Sequence, residues 1–204
     1  MSGQEVGLQR DGNSAGTPKA ARPSADPSVQ KDMPDAALVE TLLAARWANR
    51  LGDYTGPMAT WSDERRASVL NIVFERLRTV DPDQQVLPYQ VGRAVAAERP
   101  VPFANRVLAA GGSDALLAEV CWSVNGWAGT STVPLLLDLV RSERSIAVRR
   151  QAPLTLIFTR DACVPALLAE VITWAPDSPE TQELVAFVRS LPEMKGCALP
   201  TTPA

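Results

Sequence analysis

The segment VPLLLDLV at positions 133–140 returns as VPALLAEV at 164–171, an offset of 31 residues, and ALLAEV occurs at both 115–120 and 166–171. This self-similarity constrains the fold more than any other feature. Periods of roughly 20–50 residues arise when each unit is a supersecondary element that must stack on its neighbours to bury its apolar face. Each Val-Pro pair follows a plausible loop and opens an apolar run, which puts Pro134 and Pro165 in a first helical turn, where the missing N–H costs nothing. The intervening SIAVRRQAPLTLIF has Ser145 as a cap and Ile146, Val148, Leu154 and Ile157 as apolar positions, with Pro153 expected to kink it.

The flanking segments also read as helices. Leu38, Val39, Leu42, Leu43 and Ala45 make an apolar stripe from Asp35 to about Leu51, where Gly52 can stop it, and DYTGPMAT follows as a loop. A second helix starts at Thr60 or Ser62, with Asp63 and Glu64 in its first turn, buries Val69, Ile72, Val73, Leu77 and Val80, and ends at Asp81-Pro82. Pro88, Pro100 and Pro102 then divide the chain into short helices over 88–98 and 102–110, the latter closed by Gly111-Gly112. The final unit, SPETQELVAFVRSL, has Ser178 as cap and Pro179 at its first position. The expected fold is all-α: helical hairpins stacked as a short solenoid or an irregular helical bundle. Residues 1–34, rich in Gly, Pro and Ser, read as a disordered tail. Residues 35–192 read as one helical domain, repeat-like from 113, and 193–204 as a flexible C-terminal tail.

Among the 204 residues there is no histidine. That removes the commonest general acid or base near neutral pH, the Ser-His and Cys-His nucleophile pairs and the commonest transition-metal ligand. Paired carboxylates occur at Asp63 and Glu64, Asp81 and Asp83, and Glu180 and Glu183, but they stand at helix starts, where the helix dipole accounts for them. No glycine loop has the spacing of a phosphate cradle. The reading therefore expects no catalytic residues, no metal and no cofactor. A net charge of −3 and a pI near 5.1 do not suit phosphate neutralisation, so a nucleic-acid partner is not expected. No apolar run reaches the length of a membrane span, and the N-terminus lacks a basic-then-apolar secretory pattern. Cys121, Cys163 and Cys197 are odd in number and widely spaced, which fits free thiols in a reducing cytosol. The first two read as buried and the third as exposed. Arg outnumbers Lys by 17 to 3, a bias that points to a GC-rich, bacterial coding sequence.

The run from VPLLLDLVRSERSIAVRRQAPLTLIF into VPALLAEV resembles a HEAT-type repeat: an apolar helix, a short polar turn, and a helix opening with Val-Arg, here Val148-Arg149. The resemblance covers about residues 113–191; the last hairpin lacks the Val-Arg opening, and the first half shows no clear period. It implies a helical surface presented to a protein partner and occasionally to nucleic acid.

Two sets of residues are candidates for such a surface. The five tryptophans either fill core gaps and cover helix ends or, for Trp61 beside its loop and Trp127 beside Gly129, act as exposed anchors. Arg141, Arg144, Arg149 and Arg150 cluster around the turn of the best repeat, either paired with nearby acids such as Asp138 and Glu143 or presented to an acidic partner. The expected function is a non-catalytic interaction module of the bacterial cytoplasm: an adaptor, an assembly factor or an immunity-type inhibitor. A secreted effector with an N-terminal export leader, or a non-catalytic enzyme subunit, is the alternative.

Overall fold

The computed structural model describes residues 31–97, 99–125, 127–159, 162–173 and 178–195, with no account of the side chains at 171–173. The expected N-terminal tail falls almost wholly outside these residues. Within them the chain forms ten α-helices and no strand. These are α1 (Asp35–Trp47), α2 (Thr55–Ala59), α3 (Asp63–Thr79), α4 (Val86–Ala96), α5 (Pro100–Ala110), α6 (Asp114–Ser123), α7 (Val133–Arg141), α8 (Ile146–Phe158), α9 (Val164–Thr173) and α10 (Pro179–Ser190). Short 3₁₀ turns occupy Leu51–Tyr54, Pro82–Gln84 and Pro192–Met194.

Several helix starts follow directly from side-chain chemistry. The hydroxyls of Ser62, Ser113 and Ser178 accept the N–H groups of Arg65, Leu116 and Thr181 at 3.2, 3.3 and 3.2 Å, satisfying donors that the first turn leaves unpaired. Pro100, Pro134 and Pro179 sit in first turns. Ser145 behaves differently: its side chain caps nothing, and its backbone N–H is given to Asp114 Oδ2 at 2.9 Å.

The helices pack in two layers. One contains α3, α5, α7 and α9; the other contains α1, α4, α6, α8 and α10, and along each layer successive helices touch. Polar rungs join equivalent points in the second layer. Gln85 Oε1 accepts the Ser113 N–H across 28 residues at 2.8 Å, Asp114 takes that of Ser145 across 31, and Thr181 Oγ1 accepts from Arg149 across 32. The Thr155 hydroxyl donates to the Cys121 carbonyl at 2.8 Å. Because Asp114 meets Ser145 near one end and Cys121 meets Thr155 near the other, α6 and α8 run parallel. In the first layer, Thr132 Oγ1 donates to Asn105 Oδ1 at 2.8 Å, and Arg106 lies 3.8 Å from the ring centre of Phe74. Between the layers runs one apolar interior, in which Leu38, Leu42, Leu116, Leu136, Leu156, Leu168 and Leu184 are all completely buried. Each such leucine contributes roughly 1.5–3 kcal/mol over leaving it exposed.

The structure departs from the sequence reading at several points. The first helix stops at Trp47, and the supposed loop after it forms the 3₁₀ turn and α2, burying Tyr54 and Met58. α4 begins two residues before Pro88, and α5 begins at Pro100 instead of Pro102. α8 continues through Pro153. Cys121 is buried, and burial pushes its thiol up to about 12. Cys163, expected in the core, is exposed: it precedes α9, its carbonyl accepts the Leu167 N–H, and it lies outside the apolar face. Leu191 and Met194 continue the core beyond α10.

Gly92 shows how closely the layers approach. A Cβ at this position would collide with the Phe103 ring and press on Val73. Helix propensity alone would reward Gly92→Ala by nearly 1 kcal/mol. Overpacking reverses the sign: the substitution should lower unfolding stability by about 1–3 kcal/mol in urea titration.

Candidate functional site

The inward face of α6 is set by Leu116, Leu117, Val120, Cys121 and Val124. Trp122 falls between two of these positions and therefore projects away from the core, 62% exposed. Two backbone N–H groups, those of Trp127 and Ala128, close the helix end on the Val124 carbonyl at 2.9 Å each. The closure leaves Trp127 61% exposed beside the same end. In α8 the buried positions are Val148, Arg149, Ala152, Pro153, Thr155 and Leu156, so its last residue, Phe158, also points outward, 53% exposed. The Thr155–Cys121 hydrogen bond locks α8 alongside α6, and with the helices parallel, Phe158 emerges at the same edge as Trp122 and Trp127. Leu154 and Ile157 lie half-buried behind it. The result is an edge of three large aromatics at the C-terminal ends of two packed helices.

Of the two tryptophans singled out as anchors, Trp127 belongs to this edge. Trp61 is half-buried against the core, with the Arg65 guanidinium 5.4 Å from its ring centre. Trp47 and Trp122 are also strongly exposed, although neither stands beside a loop glycine. Their register carries the signal: each lies off the apolar stripe of its own helix. Trp174, Arg160 and Cys197 lie outside the described residues.

The four arginines are not brought together as one patch. Arg141 pairs with Asp138 at 3.8 Å. Arg144 Nη1 donates to the Gly112 carbonyl at 2.8 Å and to Asp114 Oδ1 at 3.3 Å. Arg150 is paired with Glu183 and lies 5.5 Å from the Phe187 ring centre. Arg149 is only 3% exposed: its Nε donates to the Val140 carbonyl at 3.3 Å and its Nη2 to Thr181 Oγ1 at 3.0 Å. It thus joins the C-terminus of α7 to α8 and to the N-terminus of α10. Burial lowers its pKa, an effect that nearby Glu180 opposes, and the guanidinium stays charged at any physiological pH. Asp114 receives both the hydroxyl and the N–H of Ser145, and these bonds, with Arg144 assisting, hold its carboxyl below the usual 3.8.

Among the described residues no cluster of three or more Cys, Asp or Glu side chains could hold a metal ion, and no helix is long and apolar enough to cross a membrane. No protein-family model matches the sequence, and no curated protein or solved structure is detectably similar to it.

Arg149→Ala orphans the buried Val140 carbonyl and should cost about 1–3 kcal/mol of unfolding stability. Arg150→Ala, which breaks only a partly solvated pair, should cost less than about 1 kcal/mol in the same denaturant titration. Asp114 has a folded pKa below its unfolded value, so its stabilising contribution is present above 3.8 and is lost as pH falls through the folded value. The gap in melting temperature between the natural chain and Asp114→Asn should therefore be largest at neutral pH and close progressively in acid.

Proposed function

We propose that this chain is a non-catalytic protein-interaction module, an adaptor, assembly factor or inhibitor-type protein, built as a short HEAT-type stack. The observation that carries the reading is the aromatic edge formed by Trp122, Trp127 and Phe158. Large aromatics exposed at the same end of two packed helices leave apolar surface in water that a partner can remove. Trp is also enriched where a few side chains carry most of a binding energy. The edge rests on hydrogen-bonded helix ends, so the backbone that carries the anchors is held in place before binding. The Val148-Arg149 opening and the stacked pairs support the HEAT-type assignment. The lack of histidine supports a role without turnover, and the Arg-rich coding bias supports a bacterial cytoplasmic setting. The partner is a protein with an apolar segment to offer, in preference to a phosphate backbone, because the arginines near the repeat turn are already engaged with Asp114, Asp138 and Glu183.

The test is co-purification of the untagged chain from its own host cells, beside the variant Trp122→Ser/Trp127→Ser/Phe158→Ser. A protein recovered at fixed stoichiometry with the natural chain should disappear with the triple variant, while the circular-dichroism spectrum is unchanged. A partner retained by the triple variant would place the interface elsewhere, and no stoichiometric partner at all would sink the reading.

A further inference from the structure

Trp47 is the most exposed large apolar side chain among the described residues, at 83%. It closes the C-terminus of α1 and stands between two hollows. One, of about 310 Å³, has Leu43, Ala44, Val80, Leu87 and Pro88 among its walls; the other, of about 730 Å³, has Val86 and Leu87 beside Gln84, Gln90, Arg46 and Asp83. A protruding indole thus sits directly beside cavities large enough to receive another indole. This place is distant from the aromatic edge. The Gln85–Ser113 hydrogen bond brings the starts of α4 and α6 together, so Trp47 lies against the N-terminal end of that layer, whereas Trp122 lies at its C-terminal end.

From this knob and its neighbouring holes we propose that the Trp47 face is a two-fold interface between copies of this chain, the indole of each entering a hollow beside the indole of the other. A knob adjacent to its own hole is what an isologous contact requires, since one rotation then satisfies both at once. The charges on the rim agree. Glu40 and Arg76 form a 3.4 Å pair over the smaller hollow, while Arg46, held by Gln90 at 2.8 Å, and Asp83 border the larger one. Two positive and two negative groups make a surface that favours neither an acidic nor a basic partner but can oppose its own image. The net charge of −3 adds only weak repulsion between copies. Two buried indoles bring roughly 300–500 Å² of aromatic surface, a fraction of the roughly 1,600 Å² of a standard interface, so the dimer is a weak one. The proposal does not rest on the partner-binding edge, and either can fail without the other.

The experiment is sedimentation equilibrium on the full chain between about 1 and 500 µM. A reversible monomer–dimer equilibrium is expected. Trp47→Ala should weaken it by at least about tenfold, as loss of a central aromatic anchor does. In parallel, a photo-reactive benzoylphenylalanine placed at position 47 should yield a dimer band whose cross-link maps to the tryptic peptide spanning 79–93, which contains the hollow walls at Val80 and Val86 to Pro88. A chain that stays monomeric throughout the range, a Trp47→Ala chain that dimerises as tightly as the natural one, or a cross-link that maps elsewhere would overturn the proposal.

Discussion

Each helical pair in this chain carries apolar side chains on more than the face its own partner can cover, and everything else in the structure depends on that excess. α8 illustrates it. Leu156 and Ala152 are completely buried, and α8 packs against α6, α7, α9 and α10. Two helices alone would leave much of this surface in water, so a pair gains its stability only from the next pair. Stacking then sets the direction of the helices in each layer, and direction determines which helix ends share an edge. The aromatic edge is a consequence of that order: α6 and α8 are parallel, so their C-termini come out together.

Apolar contact alone tolerates sliding, and the polar rungs remove that freedom. A hydrogen bond made across a buried seam has no water to replace it, so a shift in register would leave its partners unsatisfied. Thr155 to Cys121 and Arg149 to Thr181 are buried in this way, and the exposed Asp114 to Ser145 bond adds a third point at which neighbouring helices are joined. Arg149 has a second consequence. A charged group buried between three helices is costly to desolvate, and its hydrogen bonds to the Val140 carbonyl and the Thr181 hydroxyl offset that cost only where the helices keep this register. The surrounding arginines take the other course, staying partly solvated and paired with acids, Arg141 within its own helix and Arg144 and Arg150 with a neighbouring one, which leaves the repeat turns close to electrically neutral.

The sequence revealed the second half of this architecture better than the first, and the rungs show why. The spacing of equivalent positions is 31 and 32 residues where the repeat is visible, but 28 between Gln85 and Ser113. A period that changes by several residues erases itself from a linear comparison, although the layers continue without a break. α2 was hidden for a different reason: TGPMA has little helical propensity, and the burial of Tyr54 and Met58 supplies what local preference lacks. The Val-Pro openings and the serine caps at Ser62, Ser113 and Ser178, by contrast, act within a single turn, so Pro134 and Ser178 could be placed without the tertiary structure.

The tryptophans show how the site was only partly legible. Residue type says that Trp is valuable at an interface and equally valuable in a core, and the choice between them is made by register. Trp61 stands next to an exposed loop, yet the Arg65 guanidinium and the apolar interior cover part of it. Trp122 sits inside a strongly apolar helix, yet the buried positions on either side, Cys121 and Val124, turn it toward water. Phe158 needed one more fact, the direction of α8 relative to α6, which no local pattern contains. The helix interior therefore fixes the edge twice. Its buried positions decide which aromatics are excluded, and its cross-seam hydrogen bonds decide which of the excluded ones stand together.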